Sequence, residues 1–272
     1  MKSREKRQNG RPLRHTQIDL APYMPKYAYH GRLSVVVPIK NEQDNVEPLV
    51  REIATALSGN TTFEIIYIND GSTDASQARL ETLKTEFSML RVIRHREPCG
   101  QSRAVTTGVN AARYEWIATL DGDGQNDPAD IPALLAKLSD PTQPENLELL
   151  AGWRARRNDT FLRRLSSKVA NAVRSRMLKD NTPDTGCGLK VFARETFLAL
   201  PNFDHVHRFL PALVMRNGGA VVSVPVHHRA RERGTSKYGV HNRLWVGIVD
   251  LFGVAWLQRR VRLPVIEQDS DL

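Results

Sequence analysis

Leu33-Ser34-Val35-Val36-Val37-Pro38 decides the fold. The stretch is short, apolar almost throughout and ended by proline, as expected of a strand buried on both faces. Behind it Val46, Leu49, Val50, Ile53 and Leu57 recur at helical spacing, so a helix spans 43–57. The couplet then repeats: a strand over 63–68 and a helix over 73–87, a strand over 90–93 and a helix over 101–113, then a strand over 115–120. Strands alternating with helices predict an α/β fold, a mostly parallel sheet with helices on both faces. Such sheets bind ligands outside the carboxyl ends of their strands. After Leu149-Leu150-Ala151-Gly152 the periodicity changes: a basic amphipathic helix over 161–178, a loop from 186 into a short strand ending at 192, a helix over 207–216 and a strand over 220–226. No repeat or linker interrupts the run. The expected organisation is a flexible basic arm over 1–30, one domain over 31–240, and an amphipathic helix with a tail over 241–272.

The 272 residues carry a net charge of +9, which points to an anionic partner: nucleic acid, anionic lipid or a phosphorylated substrate. A nucleic-acid reader would interleave aromatics with its basic residues; here the aromatics fill strands and the C-terminal helix, so no nucleic acid is expected. Two cysteines, Cys99 and Cys187, exclude a disulfide scaffold and suit a reducing compartment. Nothing at the start reads as a secretory signal, and no stretch reaches the ~18 apolar residues of a spanning helix, so a cytoplasmic protein is expected. The segment 244–257 puts Trp245, Val249, Phe252 and Trp256 on one helical face flanked by Arg243, Arg259 and Arg260. Such a helix rests in a membrane interface, docks on a membrane subunit or packs on its own core.

Polar clusters fall at each strand's carboxyl end. Pro38 aims Asn41 and Glu42 into the crevice, where they could bond a nucleobase or ribose, or Asn41 could simply cap the next helix. Asp70, before Gly71-Ser72-Thr73, is placed to accept from ribose or base, with Ser72 or Thr73 capping the following helix and Asp74 favoured there by the helix dipole. Cys99-Gly100 starts a helix that carries Arg103 towards phosphate. After the fourth strand, Asp121 and Asp123 project to the same side of the chain and with Gln125 could share a hard divalent ion. Asp127-Pro128 reads as a cap and first-turn proline. Histidines 205, 207, 227 and 228 sit among Phe203, Phe209, Val224 and Val226, which favours packing or surface roles over zinc.

In this order the clusters resemble family 2 glycosyltransferases of the GT-A fold over about residues 33–240, and among them the polyprenyl-phosphate sugar synthases such as dolichol-phosphate mannose synthase. The resemblance rests on Pro38-Ile39-Lys40-Asn41-Glu42, Asn69-Asp70-Gly71-Ser72, Asp121-Gly122-Asp123-Gly124-Gln125, Gly152-Trp153-Arg154 with Arg163-Arg164-Leu165-Ser166-Ser167, Asp184-Thr185-Gly186-Cys187-Gly188 and Arg231-Glu232-Arg233-Gly234-Thr235-Ser236-Lys237. Asn69 stands where an aspartate is commoner, and Lys40 where an aromatic or small polar residue is usual. The resemblance implies inverting transfer from a GDP- or UDP-linked sugar to a polyprenyl (dolichyl or undecaprenyl) phosphate, with Mg²⁺ or Mn²⁺ on Asp121, Asp123 and Gln125. Pro38, Asn41, Glu42, Asp70, Arg103 and Asp121 would bind the nucleotide sugar. Arg154, Arg163, Ser167, Arg231 and Lys237 would bind the acceptor phosphate, and Asp123, Arg163, Arg231 and Lys237 would carry catalysis. The enzyme would sit peripherally on the cytoplasmic face of a membrane, with the option of a small membrane-spanning subunit. A phosphate monoester ionises with a second pKa of about 6 and so needs cations rather than a base. A hydroxyl acceptor, the alternative, would need a carboxylate base, for which Asp184 and Asp204 are the candidates.

Overall fold

The computed structural model describes residues 27–59, 61–155, 171–230 and 240–262. Its centre is a seven-stranded sheet of order β3-β2-β1-β4-β6-β5-β7. The strands are β1 (Arg32–Ile39), β2 (Thr62–Asp70), β3 (Leu90–His95), β4 (Trp116–Thr119), β5 (Leu147–Arg154), β6 (Lys190–Ala193) and β7 (Ala220–Val226). β1 runs parallel to β2 and β4, β2 parallel to β3, and β5 parallel to β7, while β6 runs antiparallel to both β4 and β5. This is the expected α/β architecture with one reversed strand at its middle.

The opening run is apolar throughout because its pleat serves two cores. Leu33, Val35, Val37 and Ile39 face one cluster with Val46, Leu49, Val50 and Ile53 of α1 (Gln43–Leu57), while Val36 faces the other with Ala104, Val105 and Val109 of α3 (Gln101–Ala111).

Two elements begin later than their periodicity suggested. The helix expected over 73–87 is α2, Ser76–Glu86. Neither Ser72 nor Thr73 caps it; the Asp74 carboxylate, just outside the helix, accepts from the Ser76 N–H at 3.0 Å. The helix expected over 207–216 is split: a 3₁₀ turn at Val206–Arg208, a break at Phe209, then α7, Leu210–Arg216, with Pro211 in its first turn. Helix α4 (Ile131–Leu138) follows a 3₁₀ turn, Pro128–Asp130, that Asp127 caps. Helix α5 covers the described end of the basic helix, 171–178, and α6 is Arg194–Leu198.

The last helix, α8 (Val240–Arg259), is apolar on both sides. Val254 is buried against α7 with Leu251, Ala255 and Leu257 around it, and Gln258 donates to the carbonyls of Leu178 and Ala212. Val246, Val249, Phe252 and Trp256 remain exposed on the other face. Packing on its own core and presenting an apolar face are therefore not alternatives for this helix.

Candidate active site

β4 ends in the middle of the sheet and releases the acidic loop there. The Asp121 N–H donates to Asn126 Oδ1 at 3.0 Å, and Asp123 Oδ1 accepts from the Gln125 N–H at 3.1 Å. Gln125 is stitched to the end of β7, its carbonyl accepting from the Arg229 N–H at 2.9 Å. Arg229 then bridges Glu52 of α1 and Asp127, each at 2.7 Å. The loop thus places two carboxylates within electrostatic reach of each other on a base tied to β7, while the Gln125 amide donates from its Nε2 to the Arg229 carbonyl at 3.4 Å. Burial, then the charge of Asp123, pushes the Asp121 carboxyl up to about 6, against the pull of Lys190, a 2.7 Å bond from Gln101 Nε2, and Arg154. An all-oxygen donor set of this kind, in which burial and the charge of Asp123 raise the Asp121 carboxyl even with Lys190 and Arg154 nearby, fits a hard divalent cation.

The residues expected to bind a nucleotide sugar tie the first two loops to each other. Asn41, at φ 52, donates its N–H to Ser72 Oγ at 2.8 Å, and its Oδ1 accepts from the Thr73 N–H at 2.7 Å. It therefore does not cap α1; Glu42 occupies that position without a side-chain cap. The Glu42 carboxylate instead accepts from Asn45 Nδ2 at 2.8 Å. Asn69 uses its amide both ways, accepting from the Ser72 N–H and donating to Gln77, each below 3 Å. An aspartate could not donate at that buried position. Asp70 accepts from the N–H groups of Cys99 and Gly100 and meets the His95 ring, each at 2.8 Å. Burial opposes its charge, but these three bonds outweigh burial and hold the carboxyl below its usual range. Asp70, His95 and Cys99 offer ligand atoms within 4.8 Å of one another; the hydrogen bonds account for that closeness. Arg103 does not reach the acidic loop. Its Nε lies 3.6 Å from Asp204 across an exposed rim, beside an open cavity of about 530 Å³ that His95 and Cys99 also line.

Across the sheet, Arg154 at the end of β5 is gripped by Asp184 through both oxygens, Nε–Oδ2 at 2.6 Å and Nη2–Oδ1 at 2.9 Å. Gly188 lies so near the acidic loop that a Cβ there would fall on the Asp121 carboxylate. Arg163, Ser167, Arg231 and Lys237, with Trp245's side chain, lie outside the described residues.

The family model for glycosyl transferase family 2 matches residues 34–200. The chain belongs to that family. A dodecaprenyl-phosphate galacturonate synthase of Rhizobium johnstonii is 39% identical over 240 residues, covering 85% of this chain and 69% of the relative. Among solved structures, glucosyl-3-phosphoglycerate synthase from Mycobacterium tuberculosis, in complex with Mn²⁺, UDP-glucose and phosphoglyceric acid, superposes with a TM-score of 0.65 at 17% identity, over 86% of this chain and 81% of that one. A mannosyltransferase from Pyrobaculum calidifontis with GDP-Man and Mn²⁺ gives 0.62 at 23% identity, over 90% and 68%. The protein is accordingly a glycosyltransferase with the GT-A fold.

Sequence reasoning missed three groups of this glycosyltransferase site. Lys190 is a buried cation in the strand run Leu189-Lys190-Val191-Phe192; a lone charge in such a run is the signal that could have found it. His207, expected to pack or face solvent, lines a small enclosure of about 20 Å³ with Gln101, Asp121 and Lys190. Its Nδ1 lies 2.7 Å from Ser102 Oγ, and burial, then the charges of Lys190 and Arg208, holds its pKa well below the usual range. Arg229 had no local signal, because its partners Glu52 and Asp127 are remote in sequence.

Proposed function

We propose that the protein transfers a sugar from a nucleotide diphosphate to a polyprenyl phosphate, with inversion, at a membrane surface. The observation that carries this reading is the Arg154–Asp184 pair. Asp184 is spent on holding a guanidinium, and the other candidate base, Asp204, faces solvent beside Arg103. The second half therefore offers a positioned cation in place of a base, which suits an acceptor that arrives already anionic. The name of the Rhizobium relative supports the same acceptor class.

Asp121, Asp123 and Gln125 would hold a divalent ion, Mg²⁺ or Mn²⁺. When bound, such an ion stabilises the charge that builds on the leaving diphosphate. The chain's own groups do the rest. The loops tied by Asn41 and Asp70 form the wall for the nucleotide. Arg154 orients the acceptor phosphate, helped by Arg163, Ser167, Arg231 and Lys237. A phosphate oxygen attacks the anomeric carbon, the bond to the diphosphate breaks, and the nucleoside diphosphate leaves with that electron pair. No proton has to be removed.

The exposed face of α8 supports peripheral membrane attachment. Val249, Phe252 and Trp256 would sit among the headgroups, with Arg259, Arg260 and Arg262 beside them, each basic residue contributing about 1 kcal/mol near an anionic surface. Among the described residues, no helix is long and apolar enough to cross a membrane. A small membrane-spanning subunit is the other occupant this face would suit.

The test is incubation with UDP- and GDP-linked sugars, nucleotide-linked galacturonate included, plus undecaprenyl phosphate and Mn²⁺ or Mg²⁺. The expected product is a chelator-sensitive glycolipid with inverted anomeric configuration. Transfer to hydroxyl acceptors alone, or a retained configuration, overturns the proposal.

A further inference from the structure

Lys190 opens β6 at the centre of the sheet, paired across from Thr119 of β4 on one side and Ala151 of β5 on the other. It is 3% exposed, a degree of burial that lysine seldom tolerates without partners. Its Nζ donates to the carbonyls of Thr185 and Cys187. Both belong to the turn that begins with Asp184, the residue gripping Arg154, and ends at Gly188, whose carbonyl accepts from Thr119 Oγ1 at 2.8 Å. Burial lowers the lysine's pKa from its usual value; Cys187, Asp121 and Asp184 pull the other way, and Arg154 adds to the lowering. One ammonium therefore secures this turn at the place where the metal loop leaves β4 and Arg154 leaves β5. The enclosure it lines, about 20 Å³, has room for one water and none for a sugar ring. Lys190 thus acts through the chain and not on substrate.

We propose that Lys190 is a positioning residue for acceptor binding: it fixes the 184–188 turn, so that Asp184 holds the Arg154 guanidinium in register with the Asp121 loop. The proposal rests on the acceptor assignment above. It predicts that donor and acceptor sites are joined by one buried cation, and that losing this cation loosens the acceptor side more than the donor side. Charge-assisted bonds to two carbonyls are what a methionine of similar shape cannot replace and an arginine can.

The experiment compares the full-length wild type with Lys190→Met, Lys190→Arg, Arg154→Met and the Lys190→Met/Arg154→Met double variant, with Lys190→Gln taking the place of Lys190→Met if that variant does not fold. Amide hydrogen exchange in Lys190→Met is expected to rise about tenfold over 184–188 and to stay unchanged over β1 and β2. The KM for undecaprenyl phosphate should rise about tenfold, with the nucleotide-sugar KM within about threefold, and Lys190→Arg should recover most of both. The double variant should be no worse than Arg154→Met, because the two residues act in series. Unchanged exchange over the turn, additive losses in the double variant, or a rise in donor KM with acceptor KM intact would each overturn the proposal. Should the wild type form no glycolipid with any donor, the assigned acceptor is wrong, and the exchange data still decide whether Lys190 fixes the turn.

Discussion

The two halves of this glycosyltransferase solve the same problem by different means. From β1 to β4 each strand hands over to a helix on its own side of the sheet, and the polar residues at the strand ends bind their near neighbours: Asn69 to Ser72, Asp70 to Cys99 and Gly100. From β5 onward the order is broken by β6, which enters antiparallel between β4 and β5. Its approach brings Lys190, Gly188 and Asp184 against residues 30 to 71 positions away. In the proposed reading the first half would present backbone and carboxylate to a nucleotide, and the second presents cations clamped by acids. A site divided this way can bind a leaving diphosphate and an incoming phosphate without the two anions competing for one set of charges.

The sharpest break in that division is Asp123→Ala with Gln125→Ala. Removing both should lower transfer at least about 10³-fold, roughly 4 kcal/mol at the barrier, while polyprenyl-phosphate binding, followed by fluorescence of a labelled lipid, stays near wild type. Next in size is the Arg154–Asp184 pair. Arg154→Met alone takes the guanidinium from a buried carboxylate and should cost about 3 kcal/mol in urea unfolding, and adding Asp184→Asn should restore much of it. An additive double variant would mean that the clamp is not a coupled unit.

Much of the first half could be read directly from residue order, since a strand such as Leu33–Pro38 and a helix such as Gln43–Leu57 announce themselves by local period. The acid pair after the fourth strand could be read for the same reason. Lys190 and His207 could not be placed: a lone lysine in an apolar strand signals a buried cation but not its partners, and a histidine beside phenylalanines carries no address. Their roles come from β6 reversing and from the break at Phe209, which turns the 3₁₀ segment Val206–Arg208 towards α3.

Two smaller effects sharpen the comparison further. Phe252→Ser with Trp256→Ser should reduce binding to anionic vesicles about tenfold, or roughly 1.4 kcal/mol, and leave unfolding within about 0.5 kcal/mol because both side chains are exposed. Co-sedimentation with vesicles measures the first and urea titration the second. Last, His207 is held neutral in the folded chain. The unfolded imidazole binds a proton below about pH 6.5 and the folded one does not, so stability falls on acidification. The share of His207 in that loss is about 1 kcal/mol between pH 6.5 and 5.5, opposed by Asp121, whose folded carboxyl, raised to about 6, takes up a proton in the same window. His207→Gln should remove that share from the pH–stability curve, and an unchanged slope would place another titrating group there.

The order of residues alone determined the α/β alternation, the strand ends at which chemistry is placed, and the acidic loop that closes the fourth strand, because hydrophobic period and turn chemistry act over a few residues. Only the tertiary structure decided that Asp184 belongs to Arg154, that Lys190 lies beneath Asp121, and that α8 is apolar towards both the core and the outside. Those facts depend on which segments pack together. Packing is set by burying surface across the whole chain, and a local pattern cannot encode which distant neighbour will arrive.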